Sequence, residues 1–186
     1  MTRTATLLMI TMLLAACAAR PTLEPRPGGN PGQTDLSGRW VLRAGGELPV
    51  NNEQTIRLPR PSQDGNSEMR RPAWSKRDRE SSVHLFLESG KALKVSQTDY
   101  GLFISFDRAV VEEYTFGEFR AVSVGPIQAQ RVSGWDGDRF TVETMDEEGN
   151  LLTERWYLDG ELLVRDIMIS AGGESRFSKR QEFEAR

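Results

Sequence analysis

Residues 127–169 read IQAQRVSGWDGDRFTVETMDEEGNLLTERWYLDGELLVRDIMI, and this stretch restricts the fold more than any other. Three turn signals divide it: Asp136-Gly137, Glu148-Gly149-Asn150 and Asp159-Gly160. Tight hairpin turns need residues that accept positive φ, and Asp-Gly or Gly-Asn between alternating apolar runs supplies them. The four runs between and beside these turns alternate with period two. Phe140, Val142 and Thr144 share one face, as do Leu152, Glu154, Trp156 and Leu158, and then Leu163, Arg165, Ile167 and Ile169. A continuous antiparallel meander follows from this pattern.

The period continues on both sides. Leu93 and Val95, then Leu102, Ile104 and Phe106, then Val110, Glu112, Tyr114 and Phe116 each form a face, and Ala121–Val124 ends at Gly125-Pro126. Upstream, Trp40 and Leu42 alternate with Arg39, Val41 and Arg43, and Gln54–Leu58 reads as a further short strand. Beyond Gly172-Gly173, Glu174–Glu184 forms a charged last strand carrying Phe177 and Phe183. The expected fold class is all-β with minor α: an antiparallel meander of about ten strands, closed into a barrel or strongly bent so that its edges are protected. Ser75–Ser89 reads as a short helix capped by Ser75 and stopped by Gly90, with Val83, Phe86 and Leu87 on one face; the alternative is a strand over 83–87. Pro59–Lys76 is a long polar loop. Arg57, Arg60, Arg70, Arg71, Lys76, Arg77 and Arg79 gather around it, interspersed with acids. It reads as a solvated loop more readily than as a patch for anionic headgroups.

Two charges stand where the period predicts core. Glu154 precedes Trp156 by two positions, and Arg165 lies between Leu163 and Ile167. Buried ions are costly without partners, so the two are expected either to pair across the Asp159-Gly160 hairpin or to face outward. A cavity site would use the same residues: Trp135, Phe140, Glu154, Trp156 and Arg165 are the candidate ligand contacts. Catalytic chemistry has little to work with. His84 is the only histidine, Cys17 the only cysteine, and no nucleophile elbow, metal-ligand spacing or nucleotide loop occurs. Glu112, Glu113, Glu143 and Glu154 lie on expected strands, and a hydrolase would need two of them facing one another. The expectation is a non-enzyme without cofactor or metal. A net charge of −3 gives no support to nucleic-acid binding.

The N-terminus carries an address. Arg3, the apolar run Leu7–Leu14 and Ala15-Ala16 have the layout of an export signal, too short to span a bilayer. Leu14-Ala15-Ala16-Cys17 resembles the lipobox of bacterial lipoproteins. That resemblance implies removal of residues 1–16 and attachment of diacylglycerol to Cys17, with its amine acylated by palmitate or a similar chain. At ~0.8 kcal/mol per buried CH₂, two or three chains anchor firmly where one is marginal. Ala18 follows, where aspartate would favour inner-membrane retention, so the implied address is the outer membrane facing the periplasm. Residues 17–35 then form the lipidated cysteine and a Pro/Gly-rich tether with a reach of roughly 25 Å, and residues 36–186 one domain.

Gly38-Arg39-Trp40 is similar to the G-x-W that opens lipocalin-type barrels, and Ser133–Thr144 and Leu152–Leu158 are similar to lipocalin-like domains. The lipobox with LSGRW, LTERWYL and the terminal FSKRQEFEAR resembles uncharacterised lipoproteins of Gram-negative bacteria. The resemblance implies a lipocalin-like barrel in which Trp40 plugs one end and Arg176 or Arg180 of the last strand stacks on it. The G-x-W together with inward Trp135, Phe140 and Trp156 leads to the expectation of a lipid or other hydrophobic ligand held in the cup, and the edge strand 54–58 with the basic loop supports the alternative, docking to an envelope protein.

Overall fold

A computed structural model describes residues 22–51 and 82–186, with side chains of 48–51 left aside. Ten strands follow one another: β1 (Gly38–Asn51), β2 (Ala92–Gln97), β3 (Gly101–Phe106), β4 (Val110–Thr115), β5 (Glu118–Val124), β6 (Ile127–Asp136), β7 (Arg139–Asp146), β8 (Leu151–Asp159), β9 (Leu162–Ala171) and β10 (Glu174–Ala185). They form one antiparallel sheet ordered β4-β3-β2-β1-β10-β9-β8-β7-β6-β5, which curls into a nearly closed, lipocalin-like barrel. The three turn signals of the meander are its hairpins. Gly137, Gly149 and Gly160 sit at φ of 62°, 82° and 61°, where a Cβ would be strained.

Neighbours in the sheet are neighbours in the chain, except that β1 pairs with β10 and so joins the two ends. A bulge in β1 makes this possible. Leu42 lies opposite Phe183 but Glu47 lies opposite Gln181, so the chain between them is looped out. Gly46 sits in that bulge, where a Cβ would come within 2.7 Å of the Glu182 carbonyl. Before the bulge, Gly38–Val41 also pairs with β2.

The alternation read from the sequence sorts the two faces correctly. The first interior cluster joins Leu36, Trp40, Leu93, Ile104, Phe106, Tyr114, Trp135, Phe140, Trp156 and Phe183. Its rings meet edge-on or tilted: Trp135–Phe140 at 5.6 Å, Tyr114–Phe140 at 5.7 Å and Phe106–Trp156 at 6.3 Å. A second cluster near the other end holds Ala129, Leu152, Ile167 and Ile169, capped by Val83 and Phe86. Those two come from a single-turn 3-10 helix, Ser82–Phe86, the observed part of the helix expected over 75–89. Ser82 ties it to the barrel by donating to Asp146 Oδ2 at 2.6 Å. The expected strand 54–58, the loop 59–76 and its basic residues lie outside the described residues.

Two expectations are corrected. Arg176 and Arg180 do not stack on Trp40. Trp40 lies opposite Ala185 while Arg180 lies opposite Leu48, an offset of five residues, or about 16 Å, along β10. Arg180 instead binds Asp166 and the Tyr157 hydroxyl, Arg176 pairs with Glu174, and the Trp40 indole donates to the Leu36 carbonyl at 3.2 Å. The end is therefore plugged by Leu36 and Trp40 from one short segment. Second, the tether expected over residues 18–35 is not free from residue 22 onward: it is a strap along β6. Trp135 N donates to the Pro27 carbonyl at 3.1 Å, Leu23 N donates to Gln130 Oε1 at 3.2 Å, and Arg26 pairs with Glu143 at 3.0 Å. A segment without apolar periodicity can dock through its main chain. Gly134 allows it, since a Cβ there would lie 2.5 Å from the Pro27 oxygen.

Candidate functional site

Between the two apolar clusters the barrel carries polar and charged side chains, each placed inward by its strand's alternation. Glu154 (β8) and Arg165 (β9) are both 1% exposed and form an ion pair in which Nε and Nη2 of Arg165 converge on Glu154 Oε2. Arg165 Nη1 also donates to the Glu88 carbonyl at 2.8 Å and to Gln181 Oε1 at 3.3 Å. Its guanidinium lies over Trp156 at 4.6 Å and Phe106 at 5.3 Å. The alternative in which both charges turn outward is thereby excluded. Trp135, Phe140 and Trp156 line the same interior at 0–1% exposure, so the five candidate contacts stand together. The indole N–H groups of Trp135 and Trp156 are buried without an acceptor among the described residues, which costs about 1–3 kcal/mol each.

A second pair, of a buried arginine and a half-buried glutamate, lies nearer the surface. Arg131 (β6), 5% exposed, donates to Glu112 Oε2 (β4) at 2.8 Å, to Thr144 Oγ1 at 3.0 Å and to the Phe86 carbonyl at 3.4 Å. It also faces the Tyr114 ring at 5.8 Å. Burial, reinforced by the negative charge of Glu154, pushes the Tyr114 hydroxyl pKa far above its ordinary value.

This pair marks the place where the barrel wall is incomplete. β4 and β5 are consecutive, joined at Phe116-Gly117, yet they share no ladder. Arg120 Nη2 donates across the gap to the Glu113 carbonyl at 2.7 Å, and the end of β4 and its turn are tied to β6 instead, Ser133 Oγ donating to the Thr115 carbonyl at 2.7 Å and Gly117 N to the Ser133 carbonyl at 2.8 Å. Below these ties a crevice of about 310 Å³ opens. Its walls are Leu85, Phe86, Val122 and Val124, and its charged groups are Glu88, Glu112, Arg120 and Arg131. The four charges balance. None of the five sequence-derived contacts lines this crevice, although Arg165 reaches its margin through the Glu88 carbonyl.

Arg131, Arg120 and the crevice were missed from sequence. Arg131 shares its phase with Ala129, Ser133 and Trp135, the same charge-on-a-core-face signal that singled out Glu154 and Arg165. Of the strand glutamates, Glu112, Glu143 and Glu154 are each held by their own arginine. Among the described residues no three His, Cys, Asp or Glu side chains converge as a metal would require.

No protein-family model and no curated protein matches the chain. Among solved structures it is similar to an abundant heat soluble (SAHS) protein of Ramazzottius varieornatus, at 9% identity and a TM-score of 0.47, covering 85% of this chain and all of that one. It is also similar to a luciferase domain of the dinoflagellate Lingulodinium polyedrum, at 15% identity and a TM-score of 0.46, over 87% of this chain and 46% of the other. Neither likeness carries a statement about what this chain binds.

Proposed function

We propose that the chain is a non-enzymatic binding module, anchored through lipid at Cys17 on the periplasmic face of the outer membrane, that holds a small hydrophobic or amphiphilic molecule. The crevice at the β4–β5 break carries this reading. At about 310 Å³ it sits at the lower end of the range for small-molecule sites, roughly 300–1,000 Å³. Polar and apolar side chains share the lining and its charges balance, which favours an amphiphilic molecule with an uncharged or zwitterionic head. Such a head accepts from Arg120 and donates to Glu112 without stranding a charge.

The test is native mass spectrometry of residues 18–186, which keep the strap but lack the lipidated cysteine, exported to the periplasm and purified without detergent, beside a Val122→Trp variant that fills the crevice. The expected result is an extra mass, released by organic solvent, that the variant loses. A clean apo mass for the parent chain overturns the reading, and so does an extra mass that the variant retains undiminished.

A second reading, an interaction lipoprotein docking to an envelope protein, is favoured by the outer face beside the free edges. Phe103 (38% exposed), Val111 (63%) and Phe119 (47%) stand there, flanking edge strands that carry unpaired backbone groups. Cross-linking in intact cells from Val111 to one defined protein would support it, and a solitary chain would count against it.

A further inference from the structure

We propose that the tip of the β5–β6 hairpin, Val124–Ile127, is the part of the barrel that meets the membrane, so that the crevice opens beside a zwitterionic lipid surface. The inference rests on the anchored reading above and adds an orientation to it.

The strap sets the geometry. It leaves Leu36 at the plugged end, crosses Trp135 at Pro27 and reaches Gln130 at Leu23, so its N-terminal direction runs toward the opposite end of the barrel. From Leu23 to Cys17 there are six residue steps, which span at most about 22 Å. From Gln130 the hairpin turn at Gly125 is five residues away along β6, or about 17 Å, and the opposite turn at Gly137 is seven, or about 23 Å. A lipid on Cys17 therefore reaches past the hairpin tip along the strap's own direction, whereas the plugged end lies at the limit of its reach and only if the chain doubles back on itself.

The tip is suited to that position. Ala121–Gln130 (AVSVGPIQAQ) holds no charged residue, whereas an average stretch of ten has about two or three. Val124 is 40% exposed at the tip, paired with Ile127 and followed by Gly125-Pro126. Val124 and Val122 are also walls of the crevice, so the surface that meets lipid and the mouth that admits a ligand are continuous. The neighbouring β7–β8 turn carries Glu147 and Glu148 at the same end of the barrel. These carboxylates repel anionic headgroups, which selects a zwitterionic surface.

The test uses the full lipidated chain in phosphatidylcholine vesicles. With the Cys17 thiol blocked as a thioether, a single new cysteine takes an environment-sensitive dye, either at the tip (Gln128→Cys) or at the plugged end (Asp138→Cys). The two positions are exposed, and near-ultraviolet circular dichroism checks that each variant folds. Lipids carrying a nitroxide near the headgroup should remove most of the emission at 128 and shift it to the blue, and leave 138 unchanged. Equal quenching at the two positions, or stronger quenching at 138, overturns the orientation and leaves ligand binding, read by mass, standing. A chain that does not float with the vesicles overturns the anchor and this proposal together.

Discussion

Replacing Glu154 by leucine isolates a buried cation. Arg165 is 1% exposed and keeps only neutral acceptors, the Glu88 carbonyl at 2.8 Å and Gln181 Oε1 at 3.3 Å, with Trp156 and Phe106 against its faces. Breaking a buried pair from one side costs about 3–5 kcal/mol, because the remaining charge has left water without an opposite charge to offset it. Against a total stability of about 5–15 kcal/mol, that is a large fraction. At about 2–4 °C per kcal/mol for a domain of this size, melting falls by about 6–20 °C. Glu154→Leu combined with Arg165→Met removes both charges and refills the space with flexible apolar atoms. The double variant should lie within about 2 kcal/mol of the parent and above the Glu154→Leu single variant. Urea unfolding followed by tryptophan fluorescence gives both numbers in one mutant cycle. A Glu154→Leu loss under about 1 kcal/mol, or a double variant less stable than either single variant, refutes the reasoning.

Gly134→Ala places a Cβ 2.5 Å from the Pro27 carbonyl; it should cost about 1–3 kcal/mol and free the strap, seen as faster proteolytic cleavage within residues 22–35. Asp146 accepts from Ser82 Oγ, Asn150 Nδ2 and the main-chain N–H groups of Glu148 and Asn150. Asp146→Ala should therefore cost about 2–4 kcal/mol and accelerate amide exchange in the 3-10 helix, and unchanged exchange there would show that Ser82 does not hold it. Tyr114 gives an alkaline limit. Burial raises its folded pKa, while the unfolded chain loses the proton near 10.0, so the contribution to stability is complete below that value and is lost as pH rises above it. Unfolding at stepped pH, beside Tyr114→Phe, should show a decline that the variant reduces; identical profiles would exclude Tyr114 as its source.

The faces of the meander were legible because a strand's side-chain period is a local property. Phe140, Val142, Leu152, Trp156, Leu163 and Ile167 announce the core in order, and Gly137, Gly149 and Gly160 fix the hairpins between them. The same period marked Glu154 and Arg165 as inward charges and left open whether they met. Trp40 shows where the resemblance failed. The motif Gly38-Arg39-Trp40 indicated a barrel opening, but the register of β1 on β10, shifted by the bulge at Gly46, decided which arginine could reach the indole, and none does. The strap shows a second limit. Its proline and glycine composition indicates absence of its own secondary structure, and says nothing about docking through backbone groups onto the end of β6, which pairs with β7 but extends past β5 on its other side.

What the sequence determined by itself is whatever acts over a few residues: the strands, their two faces, the turns, and the lipobox resemblance that implies an anchor at Cys17. What only the tertiary structure decided acts between strands far apart in the chain: the closure of β1 on β10, the lapse of the ladder between β4 and β5, and the pairing of Arg131 with Glu112 across that lapse. The crevice arises from that lapse, because a ladder fails where barrel curvature carries two consecutive strands apart, and curvature is a property of the whole sheet.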